Sequence, residues 1–239
     1  MTINNSCNTY TDENQMYNIP YNHFIFPRVF DNEIIPQIKS FFNSSVFNIS
    51  DEKDDNNRFV YTAKKTDYGK SNLITKVVDT LINKQTIEFY NNIFKDDDID
   101  LFSPETLHAI YFGINYTGYK TLPHIDNNKL LTMLIYFPDD CKEELGTELL
   151  DEQKNFIKRI PYRDNVGYSF PCYHNTGSTY HSYTKHIPSR RCTIMYNIFK
   201  NKSDYITSYD NGNARDIIMR SKLKKEINTH LFSTGELIK

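Results

Sequence analysis

A mainly β fold with flanking helices, built as a compact barrel or sandwich, is predicted from three observations. From Leu107 onward the chain breaks into short runs of β-forming residues separated by Gly, Pro and Asn. Those runs follow segments with helical spacing, an order that places helices outside a β core. The 239 residues suit one large domain with additions rather than two domains.

The elements follow in order. Residues 1–18 are polar and are expected to be a flexible N-terminus. YNHFIFPRVF is then extended, and Asp31 or Asn32 is placed to cap a helix over 33–42, with Pro36 tolerated in its first turn. SDEKDDNNRF is expected to be a charged loop. Ser71 is placed to cap a second helix that carries Ile74, Val77, Val78, Leu81 and Ile82 at core spacing. KDDDID, 95–100, lacks the alternating oxygen ligands, Gly and closing Glu of a calcium loop, so it is expected to be a solvated turn. The predicted strands are LHAIYFGIN, KLLTMLIYF, GTELL, NVGYSF, TYHSYT and RCTIMYNIF. A loop after Phe199 and a helix over 213–229 complete the chain. The expected division is a core domain over 19–200 and a segment over 201–239 packed on it.

A formal net charge of −2 supplies no basic excess for a phosphate backbone, so nucleic acid is not an expected partner. The start of the chain lacks a cationic, apolar leader, and no run reaches the length of a membrane span. Cys7, Cys141, Cys172 and Cys192 form no CxxC pair, which fits reduced thiols and a cytoplasmic location.

His124 and Asp126 are two residues apart at the end of a strand, so both side chains reach the same side and can share one ion. A second histidine from a later strand completes a set of two imidazoles and a carboxylate, the donor set of non-haem Fe(II) sites with open positions. His181 is the expected third member. His186 lies only five residues before Arg191, too few to finish a strand and start another, and His174 sits in the turn-like CYHNTG. An arginine about ten residues after His181 can hold a carboxylate through its planar fork. Alternation lets only one of Arg190 and Arg191 face inward.

The ordered set NYTGYKTLPHIDN, LLTMLIYF, GTELL, NVGYSFP, TYHSY and RRCTIMYNIF resembles the Fe(II)/2-oxoglutarate-dependent dioxygenases, and specifically their prolyl-4-hydroxylase-like branch. The resemblance covers roughly 107–199. It implies a double-stranded β-helix, a jelly-roll or cupin-like core, with His124, Asp126 and His181 on Fe(II). It also implies 2-oxoglutarate as cosubstrate, its far carboxylate on Arg191 and Tyr136, with Thr132 and Tyr111 lining the same pocket. O2 would be consumed, and succinate and CO2 released, as a small organic molecule or an amino-acid side chain is hydroxylated. Related halogenases replace the carboxylate by Gly or Ala, so Asp126 implies oxygenation. The competing readings are a non-catalytic cupin-like metal or sugar-binding barrel and a nucleic-acid demethylase of the same superfamily.

Overall fold

The computed structural model describes residues 15–45, 58–94, 99–172, 179–183, 190–205 and 231–237. The N-terminal elements are β1 (Gln15–Tyr17), β2 (His23–Phe26), α1 (Ile35–Phe42), β3 (Arg58–Thr62), α2 (Asn72–Leu81) and α3 (Lys84–Ile93). Then come β4 (Leu107–Asn115), β5 (Thr121–His124), β6 (Leu131–Tyr136), β7 (Glu148–Leu150), β8 (Phe156–Arg159) and β9 (Gly167–Pro171). The last elements are β10 (His181–Tyr183), β11 (Arg191–Phe199), β12 (Phe232–Ser233) and α4 (Thr234–Leu237).

The strands form two antiparallel sheets. The larger runs β1-β2-β9-β6-β11-β4-β12, with β3 also on β4, and the smaller runs β5-β10-β7-β8. The period-2 alternation of the long central strands gives each sheet face its own task. Ile110, Phe112, Ile114, Met133, Ile135, Cys192, Ile194 and Ile198 point one way and form a core with α1, α2 and α3 through residues such as Ile38, Val77 and Ile87. Tyr136, Tyr168 and Phe170 point the other way and meet Leu149 and Tyr183 of the smaller sheet. The two sheets thus share a second core, and the polar residues on the inner face of β6 and β11 are held within it.

All six predicted strands are present, and β4 and β11 have the predicted bounds. Ser71 caps α2 by accepting from the Ile74 N–H, with Ile74, Val77, Val78 and Leu81 buried. Three expectations needed correction. The α1 cap is not a side chain: the Ile34 N–H donates to the Asp31 carbonyl, and the helix starts two residues later than expected, with Pro36 in its first turn. Arg58 and Phe59 are not loop but the start of β3, because pairing along β4 supplies what their polar surroundings hide. The third correction concerns the thiols. Cys172 and Cys192 are free, but Cys141 is disulfide-bonded, which sequence spacing does not reveal. The predicted helix over 213–229 also lies outside the described residues. Among those residues no helix is long and apolar enough to cross a membrane.

Two stability predictions arise here. A Cβ at Gly146 would stand 1.5 Å from the Ile160 carbonyl oxygen, so the backbone itself closes the space. Gly146→Ala is expected to lower stability by roughly 1–3 kcal/mol, read as a shift in denaturant midpoint. The second prediction concerns His108, which is fully buried, with its ring nitrogens on Tyr196 and Thr234. Burial lowers its pKa to about 3. Between about pH 6.5 and 3 the unfolded chain therefore binds a proton that the folded chain does not, and stability falls as pH falls. At pH 5 this one histidine should cost on the order of 2 kcal/mol relative to pH 7, and His108→Gln should flatten the pH profile of the denaturant midpoint.

Candidate active site

His124 ends β5 and His181 opens β10, and the two are direct partners in the antiparallel register. Their ring centroids lie 4.3 Å apart. His124 Nδ1 lies 2.8 Å from the Leu122 carbonyl oxygen, and His181 Nδ1 lies 3.0 Å from that of Thr179. A carbonyl only accepts, so each Nδ1 carries a proton, and Nε2 is the ring nitrogen left to offer a lone pair to a cation. Asp126 follows β5 and brings Oδ1 to 3.9 Å from His124 Nε2. One ligand atom from each of His124, Asp126 and His181 lies within 4.8 Å of the others.

The electrostatics suit a cation. Burial by itself would raise the Asp126 pKa, but Lys129, His181, the Thr132 hydroxyl and His124 outweigh it and hold the carboxyl well below the usual range. Burial lowers the His181 pKa to about 4, so its ring is neutral near pH 7. Two imidazoles whose Nδ1 atoms are held by carbonyls and one ionised carboxylate match the donor set expected for Fe(II), and the three could hold a divalent ion. Lys129 Nζ now sits 3.1 Å from Asp126 Oδ1 and supplies part of the positive charge there.

Arg191 begins β11 and is buried on the inner face. Its Nε donates to the Leu145 carbonyl at 3.0 Å and its Nη2 to Thr147 Oγ1 at 3.3 Å. Its carbon Cζ lies 4.4 Å from the Tyr183 ring centroid and 5.2 Å from that of Tyr136. Tyr136 shares a 2.7 Å hydrogen bond with Thr147. No carboxylate among the described residues pairs with Arg191, so a buried guanidinium faces aromatic rings and hydroxyls without a counter-charge. Arg190 is spent elsewhere, on a two-point contact with Asp139 at 2.6 and 2.9 Å.

The other expected pocket residues separate. Thr132 donates a 2.6 Å hydrogen bond to Asp126 Oδ2, so it orients the carboxylate and stands four residues along β6 from Tyr136. Tyr111 packs with Ala109, Phe199, Tyr205 and Leu231, a cluster apart from the one that holds Tyr136. His174 and His186 lie outside the described residues. Sequence reasoning gave no role to Thr147 or Lys129. Thr147 stood in the GTEL turn, and Lys129 lies three residues after Asp126; only the folded geometry shows their contacts.

No protein-family model matches the chain, and no curated protein matches its sequence. Comparison of folds is more informative. A prolyl-4-hydroxylase from Pseudomonas putida superposes with TM-score 0.57 at 8% identity, over 76% of this chain and 94% of that one. A prolyl 4-hydroxylase from Phytophthora capsici gives 0.56 at 10%, over 90% and 70%. An oxidoreductase of the 2OG-Fe(II) oxygenase family from Burkholderia pseudomallei gives 0.52 at 11%, over 75% and 84%. The chain therefore has the double-stranded β-helix fold found in these oxygenases.

Proposed function

We propose that this protein is an Fe(II)- and 2-oxoglutarate-dependent oxygenase that hydroxylates a small organic molecule or an amino-acid side chain. The observation that carries the reading is the buried Arg191, which pairs with no carboxylate among the described residues, inside the same β sandwich as His124, Asp126 and His181. A barrel that bound only a metal or a sugar would have no use for that charge, which is costly to bury alone.

In this reading His124, Asp126 and His181 hold the iron, which when bound supplies the site where O2 and the keto acid are activated. Thr132 and Lys129 fix the Asp126 carboxylate. Arg191, Tyr136 and Thr147 hold the distal carboxylate of 2-oxoglutarate, and the tyrosine rings around the guanidinium exclude water and strengthen the charge-assisted bond. Because Asp126 fills a ligand position, the product is oxygenated rather than halogenated. With a net charge of −2, the substrate is read as a metabolite or a peptide rather than a nucleic acid.

Anaerobic titration with Fe(II) and then 2-oxoglutarate tests the reading. A visible metal-to-ligand charge-transfer band that saturates with 2-oxoglutarate is expected. A metal-binding protein that develops no such band belongs to the non-catalytic alternative.

A further inference from the structure

We propose that Arg58, with Asn115 and Tyr119, forms a second oxyanion subsite, one that receives an acidic group of the molecule to be oxidised. The assignment of that role rests on the oxygenase reading; the subsite itself rests on the register of three strands. Arg58 of β3 is the direct partner of Asn115 of β4, and Asn115 is the direct partner of Arg191 of β11. Directly opposed residues of antiparallel strands share a sheet face, so all three lie in one row on the inner face. Strands are spaced by about 4.8 Å, so the two arginine backbones stand about 10 Å apart with the asparagine between them.

Both outer members of the Arg58–Asn115 pair lack something. Arg58 Nε is buried and has no hydrogen-bond acceptor, and Asn115 Oδ1 is buried and has no donor. Asn115 is 2% exposed, whereas Arg58 is only half-buried, so the pair opens outward from a closed floor. Among the described residues Arg58 makes no ion pair. Its guanidinium lies 5.9 Å from the Tyr119 ring centroid, and Tyr119 packs 6.1 Å from Tyr183, the ring that also faces Arg191. Gly113 lets the guanidinium lie close over the strand: a Cβ there would approach Arg58 Nη2 to 3.6 Å and Thr193 Oγ1 to 3.3 Å.

Buried polar atoms are normally satisfied, so two adjacent orphans of opposite type point to a ligand that completes both. Arg58 needs an anionic acceptor and Asn115 Oδ1 needs a donor. The ligand class is therefore a carboxylate or phosphate with a neighbouring N–H or O–H. 2-Oxoglutarate does not meet this need, since its two carboxylates are taken by Arg191 and the metal cluster. The charge at Arg58 is left for the second substrate.

The test is calorimetric titration of the wild-type protein, loaded with Fe(II) and 2-oxoglutarate under argon. The probes are N-acetylaspartate, its neutral diamide and inorganic phosphate. At least one acid is expected to bind and the diamide not to bind; which acid binds separates the carboxylate source from the phosphate source. Arg58→Gln should weaken that binding at least tenfold, Arg58→Lys should restore part of it, and the 2-oxoglutarate charge-transfer band should be the same in all three proteins. Equal binding by Arg58→Gln, equal binding of the diamide, or no binding of either acid overturns the subsite. If the wild-type band itself is absent, the oxygenase reading has failed, and the same titration on Arg191→Gln without 2-oxoglutarate decides whether Arg58 binds anions at all.

Discussion

The His181→Ala protein is expected to fold and to lose its metal. His181 carries the Nε2 lone pair that faces the cluster from β10, and alanine there leaves two donors where three converge. Loss of an outer partner of a metal ligand already costs about 10–100-fold in affinity, so loss of the ligand itself should cost at least about a hundredfold. Competition against a coloured chelator measures this, and circular dichroism checks the fold. Turnover should fall to background with it. Full stoichiometric iron in His181→Ala would move the role to His174 or His186.

Arg191→Ala is expected to keep the metal and lose the cosubstrate. Truncating one partner of a buried, hydrogen-bonded charge pair costs about 2–5 kcal/mol, so the 2-oxoglutarate dissociation constant should rise by a factor of tens or more. Arg190→Ala removes a contact with Asp139 that is partly exposed, and its effect on that constant should be slight. The charge-transfer titration gives both values. If the two variants behaved in the opposite order, the side chain assigned to the cosubstrate would be the wrong one.

Much of this architecture was legible because period and spacing survive in a linear string. Alternation marked β4, β6 and β11, and the two-residue spacing of His124 and Asp126 placed them on one side. Strand parity let only one of Arg190 and Arg191 face inward, and the family resemblance rather than parity pointed to Arg191, which is the buried one. What escaped depends on partners distant in sequence. β3 looks like the tail of a charged loop until β4 pairs with it. α3 is capped by Asn83 through the Thr86 N–H, but its polar exposed face masks the buried Ile87 and Tyr90. Thr132 shares a sheet face with Tyr136, as alternation required, yet distance along the strand gives it to Asp126 instead. Parity assigns a face; it does not assign a neighbour.

The position of β5 carries a further consequence. Among the described residues it is an edge strand of the smaller sheet, paired only with β10, and it ends on a histidine whose register partner is another candidate ligand. An ion held by His124, Asp126 and His181 would therefore clasp this edge to its neighbour, much as a cross-link does, and remove the openings by which an edge strand frays. Amide exchange at Thr121, Leu122 and His124 should slow on metal addition while exchange in β4 and β11 changes little. In the oxygenase reading, loading the metal would then also finish building the wall of the pocket that the cosubstrate enters, and would set an order on assembly: ion first, keto acid second.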